Sequence, residues 1–173
     1  YTEEGANATD NLDTTIEVLI TGEVDTSIVG VYELVYKATD KAGNSSTVTR
    51  TVNVLDTTPP VITIVGDTTI NINEGEVYTD QGATATDNVD TDVEVVTDNT
   101  VDTGIPASYT VTYTATDTAG NVATATRTVN VLDTTPPVIT LTGNNPQVLA
   151  KNTNYVELGA IAKDAVDGVL EVV

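Results

Sequence analysis

The sequence predicts an all-β protein made of tandem two-layer sandwich modules. Composition, a long internal repeat and a two-residue alternation of apolar and polar side chains carry that prediction. Thr occurs 35 times in 173 residues. Thr and Val are β-branched, which favours strands and disfavours long helices. Tyr1-Thr2-Glu3-Glu4-Gly5-Ala6 returns as Tyr78-Thr79-Asp80-Gln81-Gly82-Ala83 and again as Tyr155-Val156-Glu157-Leu158-Gly159-Ala160. Position 1 thus maps onto 78 and 78 onto 155, one fixed period. Residues 1–64 align on 78–141 without a gap and with 40 identities, and Arg50–Thr63 recurs unchanged as Arg127–Thr140. A third copy is looser, with 9 identities between 155–173 and 1–19. Self-similarity at a fixed period is the signature of a modular array.

The elements follow in order. Val61-Ile62-Thr63-Ile64 and its equivalent Val138-Ile139-Thr140-Leu141 each follow a Pro-Pro pair and read as an opening strand. Thr69–Ile72 is a short second strand, and Gly82–Thr86, Val93–Thr97, Tyr109–Thr116 and Val122–Leu132 complete the set. Tyr109, Val111, Tyr113 and Ala115 alternate with Ser108, Thr110, Thr112 and Thr114, which puts an apolar face inward and a Thr face outward. Tyr32, Leu34, Tyr36 and Ala38 repeat the inward set. Six or seven short strands within one repeat predict a Greek-key sandwich of immunoglobulin type, without the disulfide or the Trp of antibody domains. The expected division is a complete module at 57–134 flanked by partial ones at 1–56 and 135–173. The chain does not begin with Met and reads as a piece of something longer or as a processed product.

Composition narrows the chemistry. Asp and Glu number 26 against 6 Lys and Arg, a formal net charge of −20. Nucleic acids and anionic membrane surfaces both require a basic face, so neither is expected as a partner. No apolar run approaches the roughly 20 residues of a membrane span, so no membrane insertion is expected. Cys and His are absent, which removes disulfides, thiol catalysis, zinc–thiolate sites and the commonest general base.

The aspartates fall in a pattern. Asp87 and Asp90 sit in a loop between two strands, Asp117 opens the turn between the last two strands, and Asp56 ends the segment leading into the module. In an immunoglobulin sandwich those loops lie at one end. Four carboxylates, Asp56, Asp87, Asp90 and Asp117, are therefore expected to converge. The repeat assigns Asp10, Asp13 and Asp40 to the first module and Asp133, Asp164 and Asp167 to the next junction. Convergent carboxylates without a basic neighbour repel each other, and a hard cation such as Ca²⁺, which accepts six to eight oxygens, removes that repulsion. The spacing is not that of an EF-hand loop, and Asp, Asn and Gly are also ordinary turn formers. Arg50 and Arg127 share strand parity with Val52, Val54, Val129 and Val131, and are expected at the core's edge or paired with a carboxylate. Asn7-Ala8-Thr9 and Asn44-Ser45-Ser46 match the N-glycosylation triplet, a pattern that also arises by chance.

The run ATATDN, the strand Tyr-x-Val-x-Tyr-x-Ala-Thr-Asp-x-Ala-Gly-Asn and the segment Val-Asn-Val-Leu-Asp-Thr-Thr-Pro-Pro-Val-Ile-Thr together resemble bacterial surface immunoglobulin-like repeats, akin to hyalin repeats. The resemblance covers the whole chain. It implies an extracellular or cell-surface location, tandem arrays in adhesins and cell-wall proteins, and modules often stabilised by calcium. The expected function is a structural and adhesive stalk, stiffened by structural calcium at its junctions and not an enzyme. Its expected partners are neighbouring modules of the same protein, other copies of it, and a surface or carbohydrate receptor. The alternative is a filament subunit that assembles by strand donation between partial modules.

Overall fold

A computed structural model describes residues 1–172; Val173, the last residue of the expected third module, lies outside the described residues. Twelve strands and no helix make up the described residues. The chain falls into two compact units. One holds Tyr1–Val61 together with the loops Thr86–Val93 and Thr116–Ala123; the other holds Ile62–Ala85, Glu94–Ala115 and the chain from Thr124 onward.

In the first unit, β1 (Val18–Thr21), β2 (Gly30–Thr39) and β3 (Ser45–Val54) form an antiparallel sheet in the order β1-β2-β3. Val18 pairs with Ala38, Gly30 with Val54 and Thr39 with Ser45. The turn closing β2 onto β3 explains the Asp-x-Ala-Gly-Asn signature. Asp40 accepts the backbone N–H of Asn44 at 2.7 Å and its side-chain amide at 2.8 Å, while Gly43 takes a φ of +90°. Only glycine adopts that left-handed conformation without a Cβ penalty. Asp117, Gly120 and Asn121 build the same turn, with matching bonds of 2.7 Å and 2.7 Å.

In the second unit, β4 (Val61–Ile64) pairs with β6 (Ala83–Thr86). The chain crosses between layers to place β5 (Thr69–Asn73) at one edge of a four-stranded sheet, followed by β7 (Val95–Asp98), β8 (Ala107–Thr116) and β9 (Val122–Leu132) in the order β5-β9-β8-β7. The β5–β9 pairing is parallel, Thr69 to Thr128 through Asn73 to Leu132, and ties the module's early chain to its last strand. Val111, Tyr113 and Val129 are fully buried, and Ile62, Ile64, Ile72, Tyr78, Ala83, Val95, Val101 and Tyr109 pack on them. The expected face assignment holds for Val111 and Tyr113. Tyr109 is half-buried, its hydroxyl donating to the Ile105 carbonyl at 2.9 Å. On the other face Thr110 is exposed, and Thr112 and Thr114 are half-buried. Side chains on adjacent strands stand about 5 Å apart and shade one another.

The last sheet runs β10 (Val138–Leu141), β11 (Ala160–Asp164), β12 (Gly168–Leu170), in that order and antiparallel. The strands keep the repeat. β2 begins at Gly30 and β8 at its sequence equivalent Ala107, and β4 and β10 begin at the equivalent positions Val61 and Val138.

Candidate functional site

Each Asp-x-x-Asp loop is built by its own first carboxylate. Oδ1 of Asp87 accepts the backbone N–H groups of Val89 at 2.8 Å and Asp90 at 3.1 Å. Short Asp side chains close such turns readily, because the carboxylate reaches the N–H two residues on. These bonds hold the Asp87 carboxyl below its ordinary range, so it is ionised at neutral pH. Its Oδ2 is buried and has no partner.

The other three carboxylates meet it. Asp56, Asp87, Asp90 and Asp117 each offer an oxygen, and these four atoms lie within 4.8 Å of one another. Asp56 uses Oδ1 to accept the N–H of Thr58 at 3.0 Å, and its Oδ2 is the second buried oxygen without a partner. Asp90 reaches across to the neighbouring turn, where Thr118 donates its N–H at 2.8 Å and its hydroxyl at 2.8 Å. Asp117 is held by Asn121, whose amide also approaches the Asp56 carbonyl at 3.4 Å. All of these residues belong to the first unit, since the loops 86–93 and 116–123 group with the chain up to Val61.

A second group repeats the arrangement with three members. Asp133, Asp164 and Asp167 bring oxygens within 4.8 Å, and Asp164 is buried. Asp164 Oδ1 accepts Val166 N–H at 2.7 Å and Asp167 N–H at 3.1 Å, which again lowers its pKa. Asp10, Asp13 and Asp40 differ. Asp10 closes the same loop, accepting N–H groups of Leu12 at 2.9 Å and Asp13 at 3.1 Å. Yet the three carboxylates form no such group among the described residues. Asp13 is instead taken by Lys41, through the backbone N–H at 3.0 Å and through Nζ at 3.3 Å.

The Asp56 group gathers four carboxylates. The donors are oxygens alone, and the ion pairs found among the described residues involve Asp13, Glu3 and Asp80, so none joins this group to a lysine or arginine. Buried oxygens without a hydrogen-bond donor are costly. A hard divalent cation satisfies them and cancels the repulsion, so Asp56, Asp87, Asp90 and Asp117 fit Ca²⁺ by donor type and by their two orphaned atoms.

A second polar cluster, whose arginine and inward Tyr113 were anticipated but whose carboxylate was not, lies inside the sandwich. Arg127 is wholly buried; its Nε–H donates to the Asp67 carbonyl at 2.9 Å, and its two terminal nitrogens bond Asp80 and the Val65 carbonyl. Asp80 also accepts the hydroxyls of Tyr113 at 2.6 Å and Tyr78 at 3.0 Å. Burial opposes its charge, but the Tyr113 and Tyr78 hydroxyls and the guanidinium outweigh burial and lower its pKa. Arg127 also lies 5.7 Å over the Tyr113 ring. Glu3, Tyr36 and Arg50 form the counterpart in the first unit, with Arg50 Nη1 donating to Glu3 at 2.8 Å. The repeated Tyr-x-(Asp/Glu) pair was the available signal for this cluster; alone it could not be told from a strand end.

The family model for the bacterial surface protein Ig-like domain matches residues 1–54 and 62–131. Among curated relatives, hyalin of Lytechinus variegatus is 40% identical over 171 residues, covering 92% of this chain and 31% of the hyalin. Hyalin of Strongylocentrotus purpuratus is 38% identical over 152 residues, covering 78% of this chain and 12% of that protein. The chain thus spans less than a third of the length of either hyalin. A solved structure, a lipoprotein from Bacteroides thetaiotaomicron, is 25% identical and covers 60% of this chain and 54% of its own, with a TM-score of 0.37. The all-β sandwich, the Asp-x-Ala-Gly-Asn turns and the family and hyalin matches agree: the chain belongs to the bacterial surface immunoglobulin-like domain family, whose members are extracellular or cell-surface modules.

Proposed function

We propose that this chain is part of an extracellular structural and adhesive stalk, in which calcium ties the end of one immunoglobulin-like module to the loops of the next. Residues 57–134 make one module, with repeat-equivalent parts at 1–56 and 135–173. The observation that carries the reading is the Asp56 group, where four carboxylates converge and two buried oxygens lack any partner. Asp56 precedes the module and the other three stand on its loops, so an ion shared by all four restrains the linker. When bound, Ca²⁺ supplies charge neutralisation and cross-linking. The protein's residues supply pre-organisation: the Asp87 turn, the Thr118–Asp90 bonds and the Asn121–Asp117 pair set the carboxylates in place without metal. Pro59 and Pro60 fix φ just after Asp56 and stiffen the same segment. Asp133, Asp164 and Asp167 act in the same way further along. The chain is not an enzyme in this reading, because the carboxylates recur at each repeat as an oxygen-only donor set rather than as one acid–base pair.

Binding is expected to be weak, with Kd in the roughly 10⁻⁴–10⁻³ M range of extracellular modules. Calorimetric titration with Ca²⁺, together with small-angle scattering with and without chelator, tests the reading. Heat at millimolar Ca²⁺ and a longer, narrower particle are expected. Without heat or a change in length, the aspartates are turn formers and the prolines alone stiffen the linker.

One observation favours a second reading, a filament joined by strand donation. Among the described residues strand β3 pairs on one side, with β2, whereas its counterpart β9 carries β5 in parallel on the other. Residues 146–150, the repeat equivalents of β5, form no strand, and Val148 is exposed. Docking of 146–150 from another copy on β3 would make the molar mass rise with concentration in light scattering. A constant monomer mass would rule it out.

A further inference from the structure

The loops of the first and second modules share their Asp, Gly and Asn positions and differ at Leu12/Val89 and Lys41/Thr118, and Asp56 joins the second set. Asp10, Asp13, Asp40 and Lys41 are the repeat equivalents of Asp87, Asp90, Asp117 and Thr118. The backbone N–H of Lys41 donates to Asp13 at 3.0 Å, as that of Thr118 donates to Asp90 at 2.8 Å. The side chains then diverge. Thr118 gives a hydroxyl to Asp90, a neutral donor that leaves the charge of the group intact. Lys41 sets its ammonium 3.3 Å from Asp13 Oδ1, while the stem stays in solvent. An ammonium is a compact point charge on a flexible stem, suited to neutralising a carboxylate without fixed geometry.

We propose that the residue following the turn aspartate selects how each junction discharges its carboxylates: Lys41 supplies a built-in cation that makes the first loop pair independent of calcium, and Thr118 leaves the second open to the metal. The inference deepens the calcium reading and rests on it. Two consequences separate it from ordinary variation on a solvated surface. Calcium response is unequal along the array, and the charge at this single position changes the response of its own loop pair. A divalent ion held about 5 Å from an ammonium in a water-like dielectric loses roughly tenfold in affinity.

The test uses the full chain, with calorimetric Ca²⁺ titration and backbone amide spectra of the wild type, Thr118→Lys, Thr118→Met and Lys41→Thr. Thr118→Met has nearly the length of lysine without its charge. The expected result is about tenfold weaker binding at the Asp56 group in Thr118→Lys, and a change of less than about threefold in Thr118→Met. In the wild type the amides of Val89 and Asp90 should move with calcium and those of Leu12 and Asp13 should not; in Lys41→Thr the latter pair should begin to move. Unchanged affinity in Thr118→Lys, or wild-type Leu12 and Asp13 shifting at the same calcium concentration as Val89 and Asp90, overturns the proposal. If the wild type binds no calcium at all, the calcium reading falls, and melting in chelator decides what remains. There Thr118→Lys should melt higher than Thr118→Met, because its ammonium discharges the loops. Equal melting temperatures would show that lysine is no counter-ion at this position.

Discussion

Strands β3 and β9 carry one sequence in two surroundings. Arg50-Thr51-Val52-Asn53-Val54 and Arg127-Thr128-Val129-Asn130-Val131 are identical. In β9 the inward residues are buried, with Arg127 and Val129 at 0% exposure and Val131 at 4%. In β3 Arg50, Val52 and Val54 are only half-buried. The difference comes from what packs against each strand. Ile62 and Ile64 of β4 and Ile72 of β5 close over the core that Val129 joins, and Asp67 and Val65 offer their carbonyls to Arg127. Within its own unit, β3 has only β2 beside it. Alternation fixes which side chains point inward, and a second layer decides whether inward means buried.

That comparison can be broken most severely at the aromatic centre. Replacing Tyr113 by Ala should cost about 3–5 kcal/mol, because a fully buried ring leaves a cavity and orphans its bond to Asp80. Urea denaturation followed by circular dichroism measures it, and a loss under about 1 kcal/mol would mean that the ring does not sit in the core. Next comes the ion pair. Asp80→Ala strands a buried guanidinium and should cost about 3–5 kcal/mol. Glu3→Ala, beside the more open Arg50, should cost a small fraction of that, because solvent screens the pair. Equal losses would erase the contrast between the two strands. Val129→Ala should likewise cost about 2 kcal/mol and Val52→Ala less than half of that, although both alter the same local sequence.

Calcium should act more gently. At about 1 mM Ca²⁺ and a Kd near 10⁻⁴ M, mass action stabilises the folded state by about 1.4 kcal/mol. Scanning calorimetry with and without chelator should show a melting temperature a few degrees higher, and Asp87→Asn combined with Asp90→Asn should remove the difference. Acid tests the same carboxylates together. The Glu3 carboxyl is lowered to about 2 by the hydroxyls of Tyr1 and Tyr36, the Gly5 N–H and Arg50, and Asp80 is lowered as well. Groups with depressed folded pKa values stabilise fully above their unfolded values, and that contribution fades as pH falls through the folded values. Stability should therefore decline between about pH 4.5 and 2. Asp80→Asn should flatten part of that decline, and an unchanged acid limb would show that this carboxylate carries none of it.

Some of this molecule follows from sequence alone. The bounds of β4 and β9, the inward set on β8 and the Asp-Gly-Asn hairpin turns are local consequences of period-two patterning and of one glycine that tolerates positive φ. The Asp-x-x-Asp turns are equally local, since each carboxylate bonds N–H groups two and three residues on. Tertiary structure decided the rest, because it depends on groups distant in sequence. Arg127 has the parity of a core residue and the chemistry of a surface one. Its burial follows only when Asp80, Asp67 and Val65, at least 47 residues away, converge to satisfy it. Asp10, Asp13 and Asp40 carry the same spacing as Asp87, Asp90 and Asp117, yet only the latter set gathers, joined by Asp56 and left without a lysine. A motif fixes the loop, but whether carboxylates gather depends on every charge within reach, and Asp56 and Lys41 reach these loops from other parts of the chain.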